Sequence, residues 1–429
     1  MLDIHFIREN ADLVKAGAAK KRMTVDVDRL IALDDQRKTL RQEMDEKRAE
    51  QNRASQTIAL AHGAEREALL ESMRHVKEGF TALEEKYKEV MKEWQELMLT
   101  IPNIPDMSVP EGESDADNKE VKAWGEPTKF DFTPKDHIEL MTKLGIADFE
   151  RGTKVAGFRG YFLKGDGVLL ANAISQLALK HFASKGHELL IAPSLVRRET
   201  FMGTGYLPQG EEDLYKTQDG EYLAGTAEVA TMGYYMDETL EASQLPIKLL
   251  AYSQCFRREA GAHGKDVRGL IRVHEFFKWE QVVLCEASHT ASVEMHEAIN
   301  RNTEEFMELL GIPYHTVVNC GGDLGLGQVK KYDIELWVPA EKTYREISSA
   351  SYFHDFQTRR LNIRYRDGEG KMQFAHSLNS TAVPFPRILV SIIENYQQAD
   401  GSVRVPEALI PYMGKEVLGH NAESLGHTA

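Results

Sequence analysis

The sequence is poor in features that mark secreted and membrane proteins. Its three cysteines, Cys255, Cys285 and Cys320, are far apart and odd in number, so they predict neither a disulfide framework nor a CxxC metal site. No stretch approaches the roughly 18 apolar residues that a membrane-spanning helix needs. The opening MLDIHFIREN is charged from its third residue and lacks an apolar core, so we expect no signal peptide. These absences predict a cytoplasmic protein with no membrane partner.

Motifs of the common nucleotide-binding folds are missing as well. The sequence has neither a G-x-x-x-x-G-K-[ST] phosphate loop nor a G-x-G-x-x-G after a predicted strand. An excess of positive charge is also lacking, because 52 Lys and Arg against 67 Asp and Glu give a formal net charge of −15. A nucleotide would therefore bind on an antiparallel sheet, and RNA would have to meet local basic patches.

Two periodic segments dominate the first quarter of the chain, whose 429 residues predict two domains. Apolar residues recur every three or four positions over 30–54 and again over 69–97, with His62-Gly63 between the two runs. This heptad spacing predicts an antiparallel hairpin of two long helices, a coiled-coil arm that would project from a compact domain. A short helix is predicted before the arm, from Ile7 to Ala19.

The predicted arm is not basic overall. Residues 29–56 hold seven Lys and Arg against six Asp and Glu. If the arm binds RNA, it should therefore do so through particular residues and not through a broad field. Arg41, Arg48 and Arg53 are the candidates, and solvated coiled-coil flanks are the alternative interpretation of each.

Composition predicts the domain boundaries. The two prolines of IPNIPD end the helical arm, which we place at residues 1–106. Residues 107–135 are acidic and rich in turn formers, so they are interpreted as a linker. Residues 136–429 mix helical and strand patterns and form the second domain, with a polar tail after about 414 that we expect to be loosely ordered.

The hairpin at 249–281 concentrates unusual polar residues. Two apolar and aromatic strands, at about 249–258 and 271–284, flank a charged loop that contains glycine. Arg257 lies where the first strand enters this loop. Such a face can clamp a polyphosphate, stack a base and hold an ammonium group, and a solvated strand face is the alternative. Period-two alternation places five residues of the second strand on one face: Arg272, His274, Phe276, Lys278 and Glu280.

Three further segments carry candidate ligand groups. GTAE at 225–228 offers a hydroxyl and a carboxylate for a small ligand, although a helix cap is the commoner role of such a sequence. Glu346, Ser348 and Ser349 offer hard oxygen ligands for Mg²⁺, or form a surface turn. Arg387 follows Pro386 at the start of a predicted helix, where a cation is unfavourable unless an anion binds beside it.

Together these segments resemble the seryl-tRNA synthetases, a family of class II aminoacyl-tRNA synthetases. The resemblance covers almost the full length. It implies an α+β fold, in which an antiparallel sheet flanked by helices follows a tRNA-binding arm. The matching segments are MLDIHFIREN, the helical hairpin, IPNIPD, GTAE, CFRREAG with GKDVRGLIRVHEFFKWEQ, REISSAS with FHDFQTRR, and the asparagine, threonine, arginine and ENYQ of 376–397.

The resemblance also implies the reaction. Serine and ATP would form seryl-adenylate and pyrophosphate, and the seryl group would then pass to the 3′ end of tRNA(Ser), and also of tRNA(Sec). Family members are homodimers, with much of the interface formed by the region corresponding to 172–193. The implied small partners are L-serine, ATP as a substrate and Mg²⁺, with no zinc expected.

Roles carry over onto the matching positions. Arg257 would bridge the α-phosphate and the serine carboxylate, Arg272 would hold the β- and γ-phosphates, Glu280 would receive the serine ammonium group, and Arg387 would contact ATP. We expect these four to be the catalytic residues. The implied serine-binding set is Thr226, Ala227, Glu228, Arg257, Glu280, Asn379 and Thr381. The implied ATP-binding set is Arg257, Arg258, Glu259, Arg272, Phe276, Glu346, Ile347, Ser348, Ser349 and Arg387, of which Glu346 and Ser349 would ligate Mg²⁺.

One departure and two alternatives accompany the resemblance. Many bacterial members have a glycine-rich run where this chain has residues 380–386, and Pro384 and Pro386 stiffen that approach to the helix. One alternative is a synthetase-like paralogue that acts as an RNA-binding or interaction module; the intact arginines argue against it. The other is an enzyme that loads serine onto a carrier other than tRNA; the retained arm argues against that.

Overall fold

The structure, a computed structural model, describes residues 1–418 apart from 262, 263 and 265. The chain separates into two compact units, Met1–Ile104 and Pro105–Ala429. Among the described residues, no helix combines the length and apolarity that crossing a membrane requires.

The first unit consists of helices. The single helix predicted over 7–19 is instead two helices that meet at Asn10, whose side-chain amide and backbone N–H both donate to the carbonyl of Phe6. Asparagine competes in this way for backbone groups and so favours helix ends. The helices of this unit are α1 (Ile4–Glu9), α2 (Ala11–Lys20), α3 (Val27–Leu60) and α4 (Gly63–Thr100).

Helices α3 and α4 form the predicted antiparallel hairpin. At 34 and 38 residues they are about 51 and 57 Å long. Leu33, Leu40 and Val90 are buried in the seam near its base. Arg37 is a polar seam position, and its guanidinium lies 4.9 Å from the centre of the Trp94 ring. The heptad prediction is therefore confirmed, with a cation–π contact at the position where the apolar pattern is interrupted.

The second unit is an α+β domain, as predicted. Its helices are α5 (His137–Lys143), α6 (Phe149–Ala156), α7 (Asp166–Ser184), α8 (Arg198–Thr204), α9 (Ala227–Gly233), α10 (His289–Leu309), α11 (Phe356–Leu361), α12 (Phe385–Asn395) and α13 (Ile410–Met413). Its strands are β1 (Lys119–Trp124), β2 (Ala147–Asp148), β3 (Phe162–Leu163), β4 (Glu188–Ile191), β5 (Leu195–Val196), β6 (Tyr222–Leu223), β7 (Thr239–Glu241), β8 (Ile247–Phe256), β9 (Glu275–Cys285), β10 (Tyr314–Val318), β11 (Lys330–Val338), β12 (Thr343–His354), β13 (Arg364–Arg366), β14 (Met372–Phe374), β15 (His376–Pro384), β16 (Val403–Arg404) and β17 (Val417–Leu418).

One eight-stranded sheet organises the second unit, in the order β1-β10-β11-β12-β15-β9-β8-β4. All of its neighbours run antiparallel except β4 and β8. The largest apolar cluster contains residues of α7, α10 and α12 together with alternate residues of the strands, among them Trp279 and Ile334. On the opposite face, the three strands β9, β12 and β15 carry polar side chains such as Glu280, Ser349 and Thr381, beside a second buried apolar cluster that includes Val282 and Leu284.

Two stretches are more ordered than composition suggests. Residues 107–135, interpreted from the sequence as a linker, contain β1, which pairs with β10 at the edge of the sheet and so belongs to the second unit. In the tail, expected to be loose after about 414, β17 pairs with β16. Residues 419–429 lie outside the described residues.

Candidate active site

The site is built on the two strands at 247–256 and 275–285. They pair antiparallel as predicted, but β9 begins at Glu275, so Arg272 and His274 belong to the loop and not to the strand. Alternation within β9 places Phe276, Lys278 and Glu280 on one face of the sheet. The predicted face is therefore confirmed for these three residues.

Glu280 is the centre of a buried polar cluster. Its side chain is 2% exposed, and its Oε2 accepts from the hydroxyls of Thr226 at 3.2 Å and Thr381 at 3.4 Å. Thr226 is also the N-cap of α9, where it accepts from the backbone N–H of Glu228 at 3.3 Å. The helix-cap interpretation of GTAE is thus confirmed, and the same hydroxyl contacts Glu280, while a ligand-binding role of GTAE stays a prediction. Ala227 follows Thr226 in the first turn, fully buried.

Glu228 lies in a second buried network beside this cluster. It accepts from the hydroxyl of Tyr206 at 2.9 Å and from the amide of Gln357 at 2.7 Å, and Gln357 in turn accepts from Ser377 at 2.7 Å. Burial and the nearby Glu280 raise the pKa of Glu228 to about 7. Tyr206 and Gln357 were missed in the sequence, since nothing in their local pattern separates them from core residues.

Lys278 is a further residue of the site that received no role from the sequence. Its side chain is almost fully buried and forms an ion pair with Glu280, and its Nζ donates to the hydroxyl of Thr381 at 3.2 Å. His274, also without an assigned role, has its Nδ1 2.9 Å from the carbonyl of Arg257. For Lys278, its position on the predicted face between Phe276 and Glu280 was the signal that could have assigned a role; His274 lies in the loop, where that signal does not apply.

The three arginines of the hairpin differ in their contacts. Arg257 donates from Nε to the carbonyl of Gly225 at 3.2 Å, and its guanidinium lies 5.3 Å from the centre of the Phe276 ring. Arg272 forms ion pairs with Glu259 and, at 3.5 Å, with Asp266. Arg258, by contrast, has an exposed side chain, while its backbone N–H donates to the carbonyl of Asp213 at 2.9 Å.

Arg387 lies in the first turn of α12, as predicted. Its Nε donates to the carbonyl of Ile271 at 3.0 Å, and its Nη1 donates to the carbonyl of Glu346 at 2.6 Å. Together with Arg257 and Phe276 it lines a cavity of about 60 Å³. The remaining lining residues are Glu259, Leu270, Ile271, Val273, Lys278, Glu346, Ile347, Thr381, Pro384 and Pro386. Pro384 and Pro386, which stand where many bacterial family members have a glycine-rich run, thus form part of the cavity wall.

A β-bulge places Glu346 and Ser349 on one face. Residues three apart normally point to opposite faces of a strand, but the register between β11 and β12 shifts by one residue here. Glu346 pairs with Glu335 and Ser349 pairs with Asp333, so both face the same side as those alternate residues. Ser348 points the other way and donates to the carbonyl of Thr381 at 2.5 Å. Ile347 is buried against the cavity.

The remaining predicted residues lie in two places. Asn379 is on β15, two residues before Thr381 and therefore on its face, with Ser351 and Val282 as its neighbours across the strands. Arg41, Arg48 and Arg53 all lie on α3. Arg41 forms an ion pair with Asp45 at 3.4 Å, and the Arg48 guanidinium lies 5.6 Å from the centre of the Phe80 ring.

Two family models match the chain. Residues 1–105 match the seryl-tRNA synthetase N-terminal domain, and residues 215–396 match the tRNA synthetase class II core domain (G, H, P, S and T). A serine–tRNA ligase of Deinococcus radiodurans is 45% identical over 421 residues, covering 98% of this chain and 99% of that protein.

Two solved structures of the same family are similar to this chain over almost its full length. The seryl-tRNA synthetase of Pyrococcus horikoshii complexed with ATP superposes with a TM-score of 0.88 at 37% identity, covering 97% of this chain and 99% of that one. The cytoplasmic serine–tRNA ligase of Naegleria fowleri in complex with AMP gives a TM-score of 0.86 at 35% identity, covering 97% of this chain and 98% of that one.

Proposed function

The chain belongs to the seryl-tRNA synthetase family of class II aminoacyl-tRNA synthetases, and we propose that it activates L-serine with ATP and transfers the seryl group to tRNA(Ser). One observation carries the proposal: a buried carboxylate, Glu280, is surrounded by the hydroxyls of Thr226 and Thr381 close to the guanidinium of Arg257. An anion, two hydroxyls and a cation are complementary to the ammonium, hydroxyl and carboxylate of serine.

Each pocket residue has a binding role in this proposal. Glu280 receives the serine ammonium group and Arg257 its carboxylate, while Thr381 and Asn379 lie at the side-chain hydroxyl. Thr226, Ala227 and Glu228 close the pocket from the start of α9. Thr226, Glu228 and Glu280 are buried, so an amino acid without a hydroxyl would lose the hydrogen bonds that Thr381 and Asn379 can make to serine and would leave these positions without a ligand partner.

In the same proposal, ATP binds at the arginine-lined cavity, whose volume of about 60 Å³ holds only part of the molecule, so that the rest extends beyond it. Phe276 offers a ring for adenine, Arg257 contacts the α-phosphate, Arg272 the β- and γ-phosphates, and Arg387 the triphosphate from the start of α12. Cations held by carbonyls and carboxylates, as Arg387 and Arg272 are, stay in place while charge develops at phosphorus. Positioning and charge stabilisation, without a dedicated general base, would then carry the displacement.

The residues at the bulge fit a magnesium ion that travels with ATP. Glu346 supplies a carboxylate and Ser349 a hydroxyl on one face, and Mg²⁺ prefers such hard oxygen ligands. In the described part of the chain, no three or more His, Cys, Asp or Glu side chains are arranged to hold a metal. The ion would therefore complete its coordination with phosphate oxygens and water, and would neutralise phosphate charge when bound.

Serine-dependent exchange of pyrophosphate into ATP, followed by charging of tRNA(Ser), tests the activity. We expect exchange with serine and far less with threonine, alanine or glycine. A protein that binds RNA but gives no exchange with any of them would support the paralogue alternative. Exchange without charging of any tRNA would support a different seryl acceptor. Adding tRNA(Sec) to the charging assay tests the second acceptor.

A homodimer in the cytoplasm is also part of the proposal. On the opposite face of β9, Phe277 and Trp279 line a concavity of about 770 Å³ together with Ile191, which is 83% exposed. Residues 172–193 adjoin it, and an apolar surface of this kind suits a second copy of the chain. Substituting Ile191→Glu should yield monomers in light scattering, whereas Leu60→Glu, at an exposed position in the other unit, should not. The three cysteines, all in described segments, are free and buried, which suits a reducing compartment.

A further inference from the structure

Lys278 makes a pair of contacts that constrain its neighbours. It is 4% exposed, forms an ion pair with Glu280, and donates from Nζ to Oγ1 of Thr381 at 3.2 Å. Thr381 in turn donates to Oε2 of Glu280 at 3.4 Å. Lysine, threonine and glutamate therefore form a closed triangle, with the lysine as the group that can only donate.

This triangle fixes which way the Thr381 hydroxyl points. A hydroxyl has one hydrogen and two acceptor positions. The hydrogen of Thr381 is directed to Glu280, and one acceptor position is taken by the Lys278 ammonium group. The position that is left can accept a hydrogen bond but cannot donate one. A ligand group facing Thr381 must consequently be a donor.

We propose that Lys278 is a specificity-determining residue, which keeps the Thr381 hydroxyl in its accepting orientation so that the pocket demands a donor on the amino-acid side chain. The inference rests on the proposed function, in which Thr381 faces the serine hydroxyl. Serine supplies the donor, whereas alanine has the same ammonium and carboxylate groups and supplies none. Without Lys278 the Thr381 hydroxyl can rotate, and its preference for a donor is relaxed.

Comparing serine with alanine separates this role from a role in holding Glu280. Any change in how Glu280 receives the ammonium group affects both amino acids alike, so it cancels in the ratio of their kcat/KM values. In pyrophosphate exchange, we expect Lys278→Met to lower the ratio of kcat/KM for serine to kcat/KM for alanine by on the order of tenfold. The Thr381 hydroxyl could then rotate to another hydrogen-bond partner, so alanine would no longer leave it unpaired. Thr381→Val, which removes the hydroxyl itself, should lower the ratio at least as much.

The double variant supplies the decisive comparison. If Lys278 acts through Thr381, adding Lys278→Met to Thr381→Val should leave the ratio of the single Thr381→Val variant unchanged. If activity is too low for kinetics, the Kd ratio of the seryl and alanyl sulfamoyl-adenosine analogues, measured by calorimetry, gives the same information. Thermal unfolding of each variant checks that it is folded.

The outcomes are distinguishable. Equal losses of kcat/KM for serine and alanine in Lys278→Met, with an unchanged ratio, would overturn the inference and make Lys278 a counter-ion of Glu280. Should Lys278→Met fail to fold, Lys278→Gln replaces it, since a glutamine can donate or accept and should also lower the ratio; an unchanged ratio overturns the inference there too. Absence of serine-dependent exchange in the unmodified protein would instead defeat the proposed function.

Discussion

Nε2 of His137 accepts the backbone N–H of Leu270 at a distance of 3.1 Å. An amide nitrogen only donates, so the proton of the neutral ring lies on Nδ1, which is 2.9 Å from Oε1 of Glu394. Leu270 precedes Ile271, whose carbonyl accepts from Arg387 at 3.0 Å. A buried histidine–glutamate pair therefore anchors the end of the 257–274 loop and, through it, the arginine at the start of α12.

We expect His137→Phe to raise the KM for ATP by about fivefold, since losing the hydrogen bond to Leu270 costs about 1 kcal/mol and displaces the cavity wall. The KM for serine should change much less. Pyrophosphate exchange with each substrate varied in turn measures the two values.

His137→Gln is the matched control for this variant. A glutamine can accept from Leu270 and donate to Glu394, so it should restore the KM for ATP. A loss of stability in His137→Phe with no change in that KM would contradict the positioning role.

Glu228 predicts a pH dependence of stability. Its pKa of about 7 exceeds the ordinary value of 4.5, so the folded protein holds this proton more tightly than the unfolded chain. The resulting stabilisation is fully present below about pH 4.5 and is lost as the pH rises through about 7. The free energy of unfolding, from urea titrations between pH 5 and 8, should therefore fall less steeply in Glu228→Gln than in the unmodified protein. Parallel slopes for the two proteins would refute this assignment.

Asp266 forms ion pairs with Arg272, at 3.5 Å, and with Arg345. Its carboxylate thus neutralises the arginine that the proposal gives to the β- and γ-phosphates. Asp266→Asn should lower the KM for ATP about two- to fivefold, because one competing anion is lost from a partly exposed pair. Asp219→Asn removes the same charge at an exposed position and should leave the KM unchanged. An unchanged KM in Asp266→Asn would show that its ion pair does not compete with ATP.

A shortened arm separates the two half-reactions. Deleting residues 45–81 and joining the stubs with a short Gly-Ser linker keeps the buried seam residues Leu33, Leu40 and Val90. We expect charging of tRNA(Ser) to fall by at least about 100-fold, as contacts to RNA are lost, with exchange largely unchanged. Charging of the two proteins is compared at several salt concentrations.

A full-length variant with Arg41, Arg48 and Arg53 all changed to Ala controls for the deletion. It should lose part of the charging activity and show a weaker dependence on salt. Undiminished charging by the shortened protein would remove the arm from tRNA binding.

The features that the sequence predicted correctly are those that residues within a single helix or strand determine. The heptads of α3 and α4, the alternation of Phe276, Lys278 and Glu280, and the proline and arginine at the start of α12 follow from periods and end signals within one element. The break at Asn10 was missed because an asparagine is tolerated in a helix and becomes a cap only by the bonds it makes.

Partners that are distant in the chain could not be predicted in this way. Gln357 contacts Glu228 across 129 residues, and Lys278 contacts Thr381 across 103. The bulge that brings Glu346 and Ser349 to one face is a property of the pairing between β11 and β12, which neither strand reveals alone. These contacts arise from tertiary packing, which overrides local preference.

The place of β1 in the sheet also bears on how the protein is made. The first unit is synthesised before the second, and domains generally fold as units in the order of their synthesis. Strand β1 comes next, but its partner β10 is far away: Asn118, just before β1, accepts from the backbone N–H of Cys320, 202 residues later. At typical rates of synthesis, roughly 10–40 s pass between the synthesis of β1 and that of β10, and during this time the backbone groups of β1 lack their partners. Its Lys119, Glu120 and Lys122 are charges that discourage pairing with other chains during that time.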